Sequence, residues 1–413
     1  MNDICGHILV VDDNRMNRLK LTRGLEHQGH TAASAEHGVQ AMEMVRVQTF
    51  DLILLDILMP EMDGYQVLEC LKQDKALRDI PVIVISALDE MESVVKCIEM
   101  GAEDYLPKPF DAVLLKARIG AALEKKRLRD REQLYSKNME RELEIGRQIQ
   151  GSFFPDSVPD VPGWEIAVQF RAARQVSGDF YDTFPLAESG VICIVIADVC
   201  DKGVGAALFM GLIRSLIRSF TQICYEKDPK GWFDKADSGT EGADVPRDPF
   251  DDQDHMNTME KISSFTNDYI ATTHSSANMF ATLFWGVIDT ASGVLYYVNC
   301  GHENAVIVNG NGIKQLLEPT GPAIGLMPGM EFEAKKVELD TGDILFGYTD
   351  GITEARDAEG GFYGEDRLMG LISNRVSSAA ELLESIESSL STYTEGVDQS
   401  DDITMLAVRR LPV

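Results

Sequence analysis

Residues 51–56, "DLILLD", are an apolar run that starts and ends on a carboxylate. A short unbroken run of Leu and Ile fits a strand buried on both faces, the habit of a parallel sheet. Outward from it the same grammar repeats. "HILVVD", "TAAS", "PVIVIS" and "EDYLPK" read as further strands, and the stretches near 14–28, 37–48, 64–72, 89–101 and 110–123 read as amphipathic helices. This alternation predicts βαβ units and a doubly wound, five-stranded parallel sheet.

In open sheets of this kind ligands gather beyond the carboxyl ends of the strands. Asp12 and Asp13 close the first run, Asp56 the third and Ser86 the fourth, and Lys108 follows the fifth. Carboxylates converging from different strand ends repel one another unless they hold a hard cation such as Mg2+. A lysine beside them can neutralise phosphate oxygens. "LPKPF" suggests a cis Lys108–Pro109 bond that aims the lysine inward.

"ILVVDD", "DLILLDILMPEMDG", "VISA" and "YLPKPF", in this order, resemble the response-regulator receiver domain over residues 5–124. The resemblance implies Asp56 as phosphoryl acceptor, a Mg2+ held by Asp12, Asp13, Asp56 and the carbonyl of Leu58, a switching set of Ser86, Tyr105 and Lys108, and a cognate histidine kinase. An aspartyl phosphate adds charge and acceptor oxygens within reach of Ser86 and Lys108, which biases a two-state surface.

Residues 125–152 lack proline, mix both signs of charge and continue the fifth helix. Leu128, Tyr135, Met139, Leu143 and Ile149 form a heptad-like stripe with a stutter, which predicts a coiled-coil linker and a homodimer. A single helix lying on a neighbouring domain is the alternative; either could carry a twist or shift from the first domain to the next.

Residues 153–413 change character. "WEIAVQF", "DTFPLAE", "GVICIVIADV", "FATLFWGVID", "GVLYYVNCG", "NAVIVNG", "FEAKKVEL", "DILFGYT" and "ITMLAVRR" read as strands, with helices near 204–225, 257–274, 365–373 and 378–392. The pattern predicts an α+β sandwich of two antiparallel sheets flanked by helices. Acids recur at strand ends: Asp179 and Asp182 in "SGDFYD", Asp198 in "VIADVCDKGVGAAL", Asp350 in "TDGITEA", and Asp401 and Asp402 in "SDDITMLAV". Grouped carboxylates without a His/Cys set call for Mg2+ or Mn2+ rather than zinc. Two such ions roughly 3.5–4 Å apart can activate water against phosphorus.

"RQIQGSFFP", "SGDFYD", "ADVCDKGVGAAL", "MFATLFWGVID", "NCGHENAVI", "PAIGL", "YTDGITEA" and "DDITMLAV" resemble the PPM (PP2C-type) serine/threonine phosphatases, in their SpoIIE/RsbU-like branch. The resemblance implies two Mn2+ or Mg2+ ions, with Asp198 bridging them, Val199 lending its carbonyl, and Asp179, Asp350 and either Asp401 or Asp402 completing the shell. It also implies a phosphorylated protein substrate, a STAS-type anti-sigma-factor antagonist. Asp182 is a weaker candidate, orienting a metal water or capping the next turn. Cys200 and Asp201 stand where that branch usually has Ser-Gly, and Glu303 and Asn304 where it tends to have prolines; Asp201 adds a carboxylate near the metals or caps the following helix, and His302 is read as loop packing in preference to a substrate contact. The acidic, Gly/Pro-rich stretch 226–256 is read as a flexible insertion.

The net charge of −29 disfavours nucleic acid, whose binding requires Lys and Arg to displace counterions. Seven scattered cysteines without a CxxC pair fit reduced thiols. No apolar run is read as a membrane span, and the N-terminal residues do not have the pattern of a secretion signal, so a cytoplasmic protein is expected. A phosphatase-like domain that only binds partners is the rival to a catalytic one. A cyclic-nucleotide synthase, prompted by "SGDFYD", is set aside because no GGDEF-like run accompanies it.

Overall fold

The computed structural model describes residues 5–87, 91–186, 190–226, 252–374 and 377–412. The chain divides into two compact units, Met1–Glu140 and Arg141–Val413.

The first unit holds β1 (His7–Val11), α1 (Arg15–His27), β2 (Thr31–Ala35), α2 (Gly38–Val47), β3 (Leu52–Asp56), α3 (Gly64–Gln73), β4 (Val82–Ala87), α4 (Met91–Glu99) and β5 (Asp104–Lys108). The strands are parallel in the order β2-β1-β3-β4-β5, as the βαβ pattern requires. Leu9, Val11, Ile53 and Leu55 face one apolar cluster, and Ile8, Val10, Leu52 and Leu54 the other, which explains the unbroken apolar runs. Helix α3 is fixed by a capping box in which Asp63 and Gln66 satisfy each other's backbone amides. The next helix, α5 (Ala112–Gly151), runs 40 residues without a break and so reaches from the first unit into the second. Leu128, Tyr135, Met139 and Ile149 are exposed along it and Leu143 is half-buried.

The second unit contains two five-stranded antiparallel sheets. One has the order β13 (Lys335–Glu338), β10 (Val294–Cys300), β9 (Ala281–Asp289), β8 (Val191–Val199), β7 (Phe180–Leu186); the other has β12 (Gly312–Leu317), β11 (Ala305–Asn309), β14 (Ile344–Tyr348), β15 (Ile403–Arg410), β6 (Trp164–Arg171). Ile192, Ile194 and Ile196 of β8 meet Ile307, Leu345, Leu406 and Val408 of the second sheet in the sandwich core. The alternate residues Cys193, Val195 and Ala197 face α6 (Val204–Glu226) and α7 (Asp252–Thr273). On the far side Val306, Phe346 and Met405 pack under α8 (Glu365–Ile372) and α9 (Ala379–Tyr393). The result is the four-layer helix–sheet–sheet–helix arrangement expected from the strand alternation.

Three sequence expectations change. Strand β12 was not foreseen: only its ends are buried, and β11 carries a register shift at Ile307/Val308 where the two pair. Of the stretch read as a flexible insertion, 227–251 lies outside the described residues, but Asp252 onward is helical. Asp252 and Asp254 sit in the first turn of α7, where acids are favoured by the helix dipole, and His255 stacks on Tyr296 at 4.4 Å. Finally, Val204–Tyr225 is long and apolar enough to cross a bilayer by length and composition, contrary to the reading that no segment qualifies. Its Met210, Ile213 and Ile217 are buried in the apolar cluster between the helices and the first sheet, so it serves here as a core helix.

Candidate functional site

Asp12, Asp13 and Asp56 bring carboxylate oxygens within 4.8 Å of one another at the carboxyl ends of β1 and β3. Asp12 is fully buried, and the Asn17 amide reaches both its oxygens at 3.2 and 3.1 Å. Lys108 Nζ donates to Asp56 at 2.7 Å and lies 3.3 Å from Asp12, and the Lys108–Pro109 bond is cis. Burial, outweighing Lys108, pushes the Asp56 carboxyl up to about 6. Ser86 is buried at the end of β4. Leu58 lies exposed in the loop after β3, and Tyr105 is half-buried with the Arg118 guanidinium over its ring at 5.6 Å. This donor set, three carboxylates with a lysine at its edge, fits a small hard cation next to a phosphorylated carboxylate.

In the second unit the sheet geometry selects which acids meet. Asp198 shares its parity on β8 with Ile192, Ile194 and Ile196, so it continues the inter-sheet face at the strand's end. Asp179 precedes β7 of the first sheet, yet its Oδ2 accepts from Thr349 Oγ1 at 2.6 Å, directly after β14, and from Thr404 Oγ1 at 2.8 Å, in β15 of the second sheet. Asp402 returns the stitch: its Oδ2 accepts from Ser177 Oγ at 2.7 Å and Gly178 N–H at 2.9 Å, and its Oδ1 from Ala173 N–H at 2.8 Å. Each sheet therefore holds an acid of the other.

Their electrostatics report crowding. The carboxyl of Asp198 is pushed up to about 7, by burial first and then by Asp350, while a hydrogen bond from Asp179 opposes the shift. Asp179 is raised well above the usual range by burial and by Asp198, against its two threonines. Asp350 rises to about 6 through burial, then Asp401, Glu354 and Glu303. Among the described residues only Asp12, Asp13 and Asp56 form a trio within 4.8 Å, so the acids of this end are spread more widely, although Asp198 feels Asp179, Asp350, Asp401 and Asp402. Carboxylates forced to share protons are the donor chemistry that divalent cations neutralise, and the set fits Mg2+ or Mn2+.

The Asp401/Asp402 alternative left open by the sequence divides on hydrogen bonding. Asp402 is buried with both oxygens committed to backbone and Ser177, whereas Asp401 faces Lys202 Nζ at 2.7 Å, a partner a cation can displace. Gly178 is required where the turn passes Val199: a Cβ there would lie 2.9 Å from the Val199 carbonyl oxygen.

Asp182 departs from expectation. Strand β7 starts at Phe180, so Asp182 lies inside it with the parity of Phe180 and Phe184 and faces α6. There Arg218 donates to both its oxygens at 2.7 and 2.9 Å and Arg214 lies at 3.0 Å. It fixes a helix rather than orienting a metal water. Asp201 is no helix cap either: it adopts φ +70, and among the described residues its side chain accepts only from Lys202 N–H. In that conformation a residue with a Cβ is disfavoured, and Asp is among the few tolerated.

His302 packs as expected, buried with Nδ1 2.8 Å from Thr282 Oγ1, and Thr282 pairs with Asp198 across β8 and β9. Burial pushes its imidazole down to about 4. Folded-state depression means that the neutral ring favours the fold, so this stability is complete above pH ~6.5 and lost as pH falls toward 4. Urea unfolding with chelator at pH 7.5 and 4.5 should show the wild-type loss shrinking by about 2–3 kcal/mol in His302→Gln.

Thr349, Thr404, Gln150 and Lys202 escaped the sequence reading. The threonines carried a readable signal, since Thr349 adjoins Asp350 and Thr404 stands two residues after Asp402, each at a strand end with inward parity. Gln150 and Lys202 carried none beyond their place in matched motifs.

Comparison with known proteins agrees with this fold. The family model of stage II sporulation protein E (SpoIIE) matches residues 188–411, more than half the chain, and the response regulator receiver domain model matches residues 8–120. Protein IcfG of Synechocystis is 45% identical over 272 residues, covering 65% of this chain and 41% of that protein. Response regulator MprA of Mycobacterium ulcerans is 41% identical over 125 residues, covering 30% of this chain and 53% of that protein. The chain thus spans about half or less of these relatives. The SiaA-PP2C domain of Pseudomonas aeruginosa superposes with a TM-score of 0.51 at 21% identity, over 67% of this chain and 98% of that domain, and shares its fold. With a receiver domain ahead of a PP2C-like sandwich, the chain belongs to the SpoIIE family.

Proposed function

We propose that this chain is a response regulator whose output is metal-dependent hydrolysis of phosphoserine or phosphothreonine on a protein, controlled by phosphorylation of Asp56. What supports the reading is that Asp179, Asp198, Asp350 and Asp401, from four separate segments, act on one another strongly enough for burial and mutual repulsion to raise the first three. Bound divalent cations supply Lewis acidity and charge neutralisation to phosphate-ester hydrolysis. The chain's own residues do the rest. Asp198, Asp179, Asp350, Asp401 and the Val199 carbonyl would hold the ions, Thr349 and Thr404 orient Asp179, and Asp402 shapes the turn that presents it. In the receiver, Asp56 takes the phosphoryl group, with Asp12, Asp13 and the Leu58 carbonyl around Mg2+, and Ser86, Lys108 and Tyr105 respond to it.

The substrate is proposed to be a phosphorylated STAS-type anti-sigma-factor antagonist, dephosphorylated in the cytoplasm to release a sigma factor by partner switching. A histidine kinase supplies the phosphoryl group, and the exposed stripe of α5 pairs two copies of the chain. The proposed domain limits are 1–124, 125–152 and 153–413.

Beryllofluoride, which mimics an aspartyl phosphate, is expected to change the Mn2+-dependent hydrolysis of a phosphopeptide severalfold in wild type and not in Asp56→Ala. An identical response in both would remove receiver control; metal-replete protein inactive on every phosphoprotein offered would remove the phosphatase.

A further inference from the structure

The last turn of α5 is tied to the turn carrying Asp179 by one side chain. Gln150 is 7% exposed. Its Nε2 donates to the Ser177 carbonyl at 2.6 Å, and its Oε1 accepts from the Ser177 N–H at 3.0 Å. A primary amide thereby pairs both backbone groups of one residue, as a neighbouring strand would. Ser177 lies before β7 begins, so its backbone has no partner in the ladder and Gln150 supplies one. From Ser177 the chain of contacts is short. Its hydroxyl donates to Asp402, Gly178 N–H donates to the same oxygen, and Asp179 follows.

The surrounding residues make this junction stiff. A Cβ at Gly146 would lie 3.6 Å from Val176, and one at Gly211 of α6 would lie 3.2 Å from the Phe153 ring. Phe154 packs on Phe170 at 4.7 Å and on Tyr181 at 5.3 Å, ring centre to ring centre. Rotating the end of α5 must therefore move residues 176–181 or break the Gln150 pair.

We propose that Gln150 is a positioning residue that holds Asp179 and Asp402 in register with the other carboxylates, so that the angular setting of α5 controls metal affinity at the sandwich end. The proposal rests on the reading of that end as a metal site under receiver control. Glutamine is suited to this because it offers one donor and one acceptor on one planar group, whereas methionine matches its length and offers neither.

The test uses the full chain. Calorimetric Mn2+ titration of wild type and Gln150→Met needs neither substrate nor phosphorylation, and a loss of affinity of about tenfold is expected, equivalent to about 1.4 kcal/mol. Hydrolysis of p-nitrophenyl phosphate should show kcat reduced with KM kept, and the ratio of rates with and without beryllofluoride should fall to within about twofold of unity. Wild-type Mn2+ affinity and a wild-type ratio in Gln150→Met would overturn the proposal. If wild type itself ignores beryllofluoride, receiver control fails while the Mn2+ comparison still decides the role of Gln150. Should Gln150→Met not fold, hydrogen exchange on wild type replaces it: segments 141–154 and 174–181 should gain protection together on adding Mn2+. Protection gained by the second segment alone would overturn the proposal.

Discussion

Replacing Asp198 by asparagine is expected to lower Mn2+-dependent hydrolysis of p-nitrophenyl phosphate by at least about a thousandfold, which corresponds to roughly 4 kcal/mol of barrier. The change keeps the side chain's shape and its place at the end of β8, and removes the charge that the bound cations require. The same substitution should act in the opposite direction on the metal-free fold. Asp198 is held among acids with its carboxyl raised to about 7, so its ionised form opposes folding. The sign follows from linkage: stability associated with the neutral group is present below the unfolded carboxyl pKa and is lost as pH rises from about 4 through 7. In chelator at pH 8, Asp198→Asn should therefore unfold at a higher urea concentration than wild type, by on the order of a few kcal/mol at most, since the acids titrate as a group. An inactive variant that is also more stable marks a position shaped by function. Retained activity in Asp198→Asn would dissolve the metal assignment.

The second large effect is expected at Gly351, beside Asp350. A Cβ there would stand 1.8 Å from the Asp402 carbonyl oxygen and 3.4 Å from the Asp401 Cβ. Neither neighbour is the far end of a flexible side chain, so Gly351→Ala must push the two strand ends apart. Because β14 and β15 are paired immediately beyond this point, the displacement separates Asp350 from Asp401 and opens the ladder. A loss of about 3 kcal/mol is expected, the upper part of the overpacking range, lowering Tm by roughly 6–12 °C. Mn2+ affinity should fall with it. Gly370→Ala is the control, since nothing lies within 4 Å of its added methyl and α8 favours alanine there. Equal melting temperatures for the two variants would contradict the close approach.

Much of this could be read in the sequence because strand runs announce their ends. "DLILLD" finishes on the acid that reaches its site, "GVICIVIADV" carries its acid one residue before its end, and strand β15 begins at Ile403, directly after Asp401 and Asp402. Partner choice was less legible. Asp179 and Asp182 are indistinguishable within "SGDFYD" until the start of β7 is known, because a shift of two residues decides which is a turn and which lies in the ladder. Helix α7 hid its first turn because acids preceded by prolines resemble a loop when the partners Tyr296 and Lys336 lie far along the chain. The division of labour between Asp401 and Asp402 depends on Ser177 and Ala173, more than 220 residues earlier, and no local pattern records that distance.

That separation has a kinetic side. Strands β6 and β15 are neighbours in the sheet, and the bond between Ala173 and Asp402 closes 229 residues of chain. Contact order this high makes for slow folding, because closure entropy is spent before the pairing is gained. Until β15 inserts between β14 and β6, the Thr404 hydroxyl and the Asp401 carboxylate are missing from the site. Under the proposed function, a sandwich in which β15 has not yet paired lacks two groups of the site and is expected to show no hydrolysis until that strand has locked in.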